Sequence, residues 1–203
     1  MGDTELQLKL LRRMAALDPV PCVMGGYAED AIVAGTVTRE HEDIDWLVPR
    51  AELPHRLDQA RELGFTEFET WGESAPGEPF YVYTKQGDLN IDIGVCDEVD
   101  GRYVVDIFGL AFQIDGKEAP AGYRLFLPPD TFEHDRVSID GIEVWPASPL
   151  ALYQLRIGIA SQGSFGELNE KQRASLRRLK ESFFSDRSDA ELVPQIEPLE
   201  VKR

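Results

Sequence analysis

The chain contains 203 residues, of which 42% are hydrophobic and 29% are charged. This length suits one compact domain or a domain with a small appendage, and the ordinary composition excludes a fibrous or globally disordered protein. Acidic residues outnumber basic ones by 37 to 21, which gives a formal net charge of -16. Such a charge repels polyanions and attracts small cations, so we expect no broad nucleic-acid-binding surface, although acidity by itself often serves only solubility.

The two cysteines and the hydrophobic segments of the chain indicate its compartment. Cys22 and Cys96 lie far apart in apolar sequence, which predicts reduced, buried thiols and no disulfide framework. The N-terminal segment lacks the apolar core of a signal peptide, and no run of about 18 apolar residues occurs. We therefore predict a cytoplasmic protein without a membrane-spanning segment.

The N-terminal part of the sequence predicts a helix, a strand, a glycine turn and a second helix. Hydrophobic residues recur at helical spacing over residues 4–17, which predicts the first helix. A short apolar run at residues 20–24 predicts a strand, and Gly25-Gly26 predicts a turn directly after it. We expect the second helix over residues 27–34.

Two further segments place carboxylates on strands. Residues 43–48 alternate with period 2, so Asp43 and Asp45 share one face of a strand. In the strand predicted over residues 89–96, Asp92 likewise lies on the face opposite the apolar residues. The sequence thus predicts three carboxylates that emerge from strands.

The remaining elements follow from periodicity and turn signals. Asp140-Gly141 predicts the turn of a β-hairpin over residues 137–144. Further predicted elements are helices over 51–63, 148–157 and 168–184 and strands over 80–84 and 103–107. We divide the chain into a domain at 1–145, a helical region at 146–184 and a polar tail at 185–203, which we expect to be mobile or loosely packed.

Carboxylates on strands need partners, because an isolated buried carboxylate loses several kcal/mol of solvation. Mg²⁺ is the simplest partner for Asp43, Asp45 and Asp92, since it prefers carboxylate, water and phosphate oxygens. The third carboxylate could complete a second metal site or accept a proton from an attacking hydroxyl group. The backbone of Gly25-Gly26, at the start of a helix, suits a phosphate group. Each motif alone is more often structural, but together they indicate phosphoryl or nucleotidyl transfer.

The order and spacing of these motifs resemble those of a known family. Residues 25–30 (Gly-Gly-Tyr-Ala-Glu-Asp) and 38–45 (Thr-Arg-Glu-His-Glu-Asp-Ile-Asp) resemble the signature of aminoglycoside 2″-nucleotidyltransferase-like proteins. That family belongs to the DNA polymerase β-like nucleotidyltransferase superfamily. The match is dense over residues 23–48 and looser up to about residue 184. The resemblance implies an α+β (α/β-like) nucleotidyltransferase fold, in which helices flank a small mixed β-sheet and a helical C-terminal region completes the site of the catalytic domain.

The resemblance also implies roles for individual residues. Asp43 and Asp45 would bind Mg²⁺ and the nucleoside triphosphate. Asp92 would be the third metal-binding carboxylate and the base toward the acceptor hydroxyl group. Gly25 and Gly26 match the glycines that pack on the phosphates.

The resemblance extends to four other residues, three of which have an alternative interpretation. Arg39 and His41 match positions near the nucleotide, although His41 could equally order the loop before the strand, and Asp30 could anchor that loop. Lys171 matches a lysine that reaches the phosphates, but Gln172 replaces the acid or histidine that usually follows it. A solvent-facing Lys171 is therefore the alternative.

We predict a nucleotidyltransferase that uses two Mg²⁺ ions to move AMP from ATP onto a hydroxyl group of an aminoglycoside-like small molecule, releasing pyrophosphate. Two alternatives remain, namely a toxin-type enzyme that modifies protein or RNA and a non-catalytic nucleotide-binding member of the fold. The acceptor, the preferred base, the oligomeric state and a role in antibiotic resistance stay open. We expect Trp71, Tyr81, Tyr83 and Trp145 to be aromatics of the core or its rim.

Overall fold

The computed structural model describes residues 4–73, 77–107, 123–161 and 168–198. In these ranges, helices surround a mixed β-sheet. The helices are α1 (Thr4–Met14), α2 (Gly25–Ala34), α3 (Leu53–Glu62), α4 (Pro149–Ser161), α5 (Glu170–Phe183) and α6 (Asp189–Leu192). The strands are β1 (Cys22–Met24), β2 (Ile44–Pro49), β3 (Phe68–Glu73), β4 (Pro79–Gln86), β5 (Leu89–Val99), β6 (Arg102–Ile107), β7 (Tyr123–Phe126), β8 (Val137–Ile139), β9 (Ile142–Pro146) and β10 (Gln195–Pro198).

Strand β5 is central to the sheet, because it has neighbours on both edges. It pairs in parallel with β2 on one edge and antiparallel with β4 on the other, and its last residues pair with β6. The strands follow the order β10-β7-β6-β5-β2-β1-β9-β8, and β3 extends the sheet from β4. The parallel pair β2-β5 brings the N-terminal ends of two strands together at one end of the sheet. This α+β arrangement is the predicted fold class.

The hydrophobic core holds the strand of the paired carboxylates in place. Ile44 and Trp46 of β2 are fully buried, as the period-2 pattern predicts for the face opposite Asp45. Leu10 and Leu11 of α1 belong to the same core. Burial of a side chain of this size contributes roughly 2 kcal/mol to folding. One face of β2 is thus anchored by apolar packing, which leaves the carboxylates on the other.

Local interactions determine where α2 ends and where α5 begins. Helix α2 ends at Gly35, whose φ of +66° is left-handed and whose N–H group donates to the carbonyls of Asp30 (3.0 Å) and Ala31 (3.2 Å). Glycine is favoured at this position because it has no Cβ. Helix α5 begins with a capping box, in which the N–H of Gln172 donates to Oδ1 of Asn169 (2.8 Å) and the N–H of Asn169 donates to Oε1 of Gln172 (2.9 Å).

The structure agrees with some predicted boundaries and differs from others. Helix α2 begins at Gly25, two residues earlier than predicted, so the glycine pair forms the first turn of the helix. The helix predicted over 4–17 ends at Met14. In the predicted hairpin, which is β8-β9, Asp140 and Gly141 both have positive φ (+47° and +75°), as a two-residue turn of type I′ requires. Strands β3, β7 and β10 lie outside the prediction.

The expectation that the tail is mobile or loosely packed is wrong for residues 189–198. Leu192 of α6 is fully buried, and its carbonyl accepts a hydrogen bond from the side chain of Gln154 in α4 (3.3 Å). Strand β10 pairs antiparallel with β7. These contacts are made with distant parts of the chain, so the polar local sequence does not indicate them.

The two cysteines are free, buried thiols, as the sequence predicts. Cys22 and Cys96 are free and buried, and burial raises the pKa of the Cys96 thiol to about 12. Both side chains therefore pack as small apolar groups. Among the described residues, no helix has the length and apolar character needed to cross a membrane.

Replacing Leu192 by Ala tests whether α6 belongs to the fold. Because this side chain is fully buried, the substitution should lower the free energy of unfolding by about 2–4 kcal/mol in urea denaturation. The adjacent Val193→Ala is the control, since Val193 is 56% exposed and should change the free energy by less than about 0.5 kcal/mol. Equal effects of the two substitutions would contradict the packing of α6.

Candidate functional site

The three predicted carboxylates converge where β2 and β5 run side by side. Asp45 and Asp92 are direct partners in the parallel register of these strands. Asp43 directly precedes β2. Carboxylate oxygens of all three residues lie within 4.8 Å of one another. We call this group the carboxylate triad.

The negative charges of the triad repel one another. Burial raises the pKa of Asp45 well above its ordinary value, and the charges of Asp43 and Asp92 raise it further. Burial and the neighbouring Glu42 raise the pKa of Asp43. Burial raises the pKa of Asp92 to about 6, against the effect of a hydrogen bond from Tyr81. A cation bound among the three would favour their ionised forms.

The triad fits a divalent cation. The Tyr81 phenol donates a hydrogen bond to Asp92, yet the buried Oδ1 of Asp92 has no hydrogen-bond partner among the described residues. A buried acceptor without a donor costs about 1–3 kcal/mol. A metal ion bound also by Asp43 and Asp45 would satisfy this atom, and an all-oxygen donor set favours Mg²⁺ over zinc.

The glycine pair at the start of α2 lies against the triad and the loop before β2. A Cβ atom on Gly25 would lie 1.9 Å from Oδ2 of Asp45, and Gly25 has a φ of +65°. A Cβ atom on Gly26 would lie 2.2 Å from Nδ1 of His41 and 2.9 Å from a guanidinium nitrogen of Arg39. Both positions therefore require glycine. The first N–H groups of α2, which lack acceptors within the helix, lie beside the triad.

A cleft of about 380 Å³ opens next to these residues. The end of β1, the first turn of α2, the loop before β2, and helices α4 and α5 form its walls. Seven of the predicted site residues line it, namely Gly25, Gly26, Arg39, His41, Asp43, Asp45 and Lys171. Asp92 does not line it, because β5 lies on the far side of β2 from the cleft.

Cationic side chains reach the cleft from three elements. Arg39 comes from the loop before β2, Arg156 from α4 and Lys171 from the first turn of α5. Within the described ranges, Arg39 and Lys171 form no ion pair. Burial lowers the pKa of the Arg39 guanidinium. The cleft thus places three cationic side chains beside four acidic ones, namely Glu29, Glu42, Asp43 and Asp45.

Sequence reasoning missed Arg156. Its guanidinium donates two hydrogen bonds to Oε1 of Glu29 in α2, one of them 2.7 Å long, and Ser175 of α5 donates to Oε2 of Glu29. This buried pair holds Arg156 at the cleft, near Asp45. A signal was present in the sequence, because Arg156 is the only charged residue of the mostly apolar helix α4.

Asp30 and His41 order the loop before β2. Nε2 of His41 lies 2.9 Å from Oδ2 of Asp30. Asp30 also accepts hydrogen bonds from the N–H of Thr38 (2.8 Å) and from Arg178 of α5 (3.1 Å), and the carbonyl of His41 accepts one from Gln7 of α1 (3.0 Å). His41 therefore has the loop-ordering contacts and also lines the cleft, so both interpretations of this residue are compatible with its position.

Hydrogen bonds control the ionisation of Asp30. Burial would raise the pKa of this carboxyl, but hydrogen bonds from His41, Thr38 and Arg178 outweigh burial and hold the pKa well below its ordinary range. The fold therefore stabilises the ionised form. Its contribution to stability is fully present above the ordinary carboxyl pKa of about 4 and is lost as the pH falls below it.

The departure from the family pattern at Gln172 has a structural reason. Gln172 is the third residue of α5 and closes the capping box with Asn169. Lys171 precedes it in the first turn of the helix, where its side chain is exposed and lines the cleft. Its positive charge acts to lower the pKa of Asp43.

The arrangement of strands and helices is the nucleotidyltransferase fold. Two solved structures that share it are of ANT(2″)-Ia. The solution structure of this antibiotic-resistance factor is similar over 90% of this chain and 86% of that chain, with a TM-score of 0.64 and 21% sequence identity. The crystal structure of ANT(2″)-Ia in complex with adenylyl-2″-tobramycin is similar over 91% of this chain and 92% of that chain, with a TM-score of 0.61 and 21% identity. No protein-family model and no curated protein matches the sequence.

Replacing Asp30 by Asn should destabilise the protein in a pH-dependent way. At pH 7 the variant loses charge-assisted hydrogen bonds to His41 and Arg178, so the free energy of unfolding should fall by about 3 kcal/mol. This deficit should shrink as the pH falls below about 4, because the Asp30 carboxyl then binds a proton in the unfolded wild type while it stays ionised in the folded protein, which removes the stabilising contribution.

The control for this prediction is Asp140→Asn. Asp140 is exposed and accepts hydrogen bonds from Oγ1 of Thr36 (2.6 Å) and the N–H of Val37 (3.0 Å), in the same loop that Asp30 holds. Because water can replace these bonds, its substitution should have a much smaller effect at every pH. Urea denaturation of both variants from neutral to acidic pH is the measurement. A deficit of Asp30→Asn that stays constant over this range would contradict the role of the ionised carboxylate.

Proposed function

We propose that this protein is a Mg²⁺-dependent nucleotidyltransferase that moves AMP from ATP to a hydroxyl group of a small molecule and releases pyrophosphate. The carboxylate triad carries the proposal, because its oxygens lie within 4.8 Å of one another and include a buried acceptor without a donor. The three carboxylates are half-buried, and an unbalanced carboxylate removed from water costs several kcal/mol, which favours a bound cation over a purely structural role. The nucleotidyltransferase fold around the triad supports the same function.

The cleft beside the triad suits a nucleoside triphosphate. Arg39, Arg156 and Lys171 supply positive charge to its walls. The first turn of α2, with Gly25 and Gly26, offers N–H groups and the positive end of the helix dipole to phosphate oxygens. ATP as the donor rests on the resemblance of the glycine and carboxylate motifs to the family signature.

The residues of the triad have distinct roles in the proposed reaction. Asp43, Asp45 and Asp92 would hold Mg²⁺, with two ions as in other sites of this chemistry, and the bound metal would neutralise charge on the triphosphate and the leaving pyrophosphate. Asp92 accepts the proton of the acceptor hydroxyl group, and its hydrogen bond from Tyr81 orients it. The acceptor oxygen bonds to the α-phosphorus, the bond from this phosphorus to the oxygen bridging the β-phosphate breaks, and pyrophosphate leaves with the electron pair.

An aminoglycoside-like polycation is the proposed acceptor. ANT(2″)-Ia, which shares the fold, was solved in complex with adenylyl-2″-tobramycin. The net charge of -16 attracts a polycation to this protein. Transfer of AMP to such a molecule would amount to an antibiotic-resistance activity.

Pyrophosphate release tests the proposal. The purified protein is incubated with Mg²⁺, each common nucleoside triphosphate and a panel of aminoglycosides and other hydroxylated small molecules. We expect release that requires an acceptor and is fastest with ATP. Transfer of label from ATP to protein or RNA in a lysate would instead favour the toxin-type alternative. Nucleotide binding that does not depend on Mg²⁺, without release, would favour the non-catalytic alternative.

Replacing Asp43 by Ala should nearly abolish transfer and leave the fold intact. The loss of one metal-binding carboxylate should lower kcat by about 10³-fold or more. The Tm without Mg²⁺ should not fall, because the substitution removes one of three charges that repel one another. Mg²⁺ with ATP should raise the Tm of the wild type and not that of the variant.

The control for Asp43→Ala is Asp88→Ala. Asp88 is exposed in the turn between β4 and β5 and should retain wild-type activity. Wild-type turnover by Asp43→Ala would exclude the proposed mechanism.

Replacing Lys171 by Met tests whether this lysine contacts the triphosphate. One charge interaction in a partly solvated site contributes about 1–2 kcal/mol, so the KM for ATP should rise roughly 10-fold while the KM for the acceptor changes little. Arg177→Met is the control, because Arg177 is exposed on the same helix and does not line the cleft. Equal KM values for ATP in the two variants would favour the solvent-facing interpretation of Lys171.

A further inference from the structure

A row of side chains crosses one face of the sheet from the cleft to the opposite edge. Direct partners on neighbouring strands share a face of the sheet. The partners are, in order, Met24 of β1, Asp45 of β2, Asp92 of β5, Tyr83 of β4 and Glu69 of β3. Met24 lines the cleft, whereas Glu69 is exposed on β3. The triad therefore has the cleft on one side and the antiparallel pair β3-β4 on the other.

A second row on the same face is aromatic. Trp71 of β3 is the direct partner of Tyr81 of β4, and Tyr81 is the direct partner of Gly94 of β5. The phenol of Tyr81 donates its hydrogen bond to Asp92, which belongs to the first row. Tyr81 and Tyr83 of β4 thus adjoin the carboxylate that acts as the base in the proposed reaction, and Trp71 follows one strand further out on the same face.

The exposure of Trp71 is not explained by packing within the described residues. Trp46 is fully buried, and Trp145 packs against Phe132 and donates its indole N–H to the carbonyl of His134 (3.1 Å). Trp71 is 51% exposed. Tryptophan is highly buried on average, so an exposed one on the face of the sheet that carries the triad points to a ligand contact.

We propose that Trp71, Tyr81, Tyr83 and Glu69 form the acceptor-binding surface, which we call the acceptor platform, and that it selects a cationic, hydroxylated ring such as an amino sugar. This inference rests on the proposed transfer reaction. Aromatic faces attract ammonium groups and pack against the C–H face of a sugar ring. The carboxylate of Glu69 offers a further ammonium group a charged partner.

The location of the acceptor platform fits the geometry of transfer. In an in-line displacement, the attacking and leaving oxygens lie on opposite sides of the phosphorus. The triphosphate would occupy the Met24 side of the triad and the acceptor the Tyr83 side. Tyr83 donates a hydrogen bond to Asn90 (3.1 Å), whose amide donates to the carbonyl of Glu42 (3.3 Å). This chain of bonds ties the platform to the loop that carries Asp43.

Tobramycin binding in the absence of nucleotide tests the acceptor platform separately from catalysis. By calorimetry on the full chain, Trp71→Ala and Glu69→Gln should each raise the Kd for tobramycin about 10-fold or more. Trp71→Phe should retain most of the affinity, since it keeps an aromatic face. Thr70→Ala is the matched control, because Thr70 is exposed on the same strand but lies on the opposite face. Circular dichroism and Tm values check that each variant is folded.

The steady-state constants give a second measurement. In the transfer assay, Trp71→Ala should raise the KM for the acceptor about 10-fold and leave the KM for ATP within about twofold. Equal tobramycin affinity in the wild type and Trp71→Ala, or no binding to the wild type, would overturn the acceptor platform. Pyrophosphate release that does not depend on Trp71 would overturn the platform but keep the proposed function. Trp71-dependent tobramycin binding without any pyrophosphate release would keep the platform and overturn the proposed transfer.

Discussion

The mutual repulsion of Asp43, Asp45 and Asp92 is the constraint on which the rest of the site depends. Their oxygens lie within 4.8 Å of one another, and burial raises the pKa of each. All three can be ionised together at neutral pH only when positive charge balances them. The parallel pairing of β2 with β5 imposes the proximity, and the buried side chains of Ile44 and Trp46 anchor it to the core.

The charge around the triad differs between its two sides. On the cleft side, Arg39 and Lys171 bring positive charge that no ion pair within the described ranges balances, whereas Glu29 balances Arg156. The protein as a whole carries a net charge of -16. Glu69 and exposed Trp71 lie on the other side. The two substrates of the proposed reaction have the complementary charges. A triphosphate is anionic and suits the cleft side, whereas an aminoglycoside is cationic and suits the side of Glu69. Net charge governs attraction at long range, and local charge decides what each side binds.

Helix α2 connects helices α4 and α5 to the triad. Two consecutive acidic residues of α2 form the ion pairs with these helices. Glu29 pairs with Arg156 of α4, and Asp30 pairs with Arg178 of α5. Both acidic side chains are buried, so each ion pair depends on its partner to offset the loss of solvation. The N-terminal end of the same helix lies against Asp45, which couples the position of the cleft wall to the position of the triad.

The sequence by itself determined the features that depend only on residues close to one another in the chain. Alternation over residues 43–48 and the Asp140-Gly141 turn are local properties, since they follow from side-chain period and backbone φ. The tertiary structure decided the rest, because the partners are distant in the chain. Glu29 and Arg156 are separated by 127 positions. The residues of β3 are mostly exposed, and this segment is a strand because it pairs with β4. Local periodicity carries no information about such partners, so pairing and packing alone bring Arg156 to the cleft and Trp71 to the face of the sheet that carries the triad.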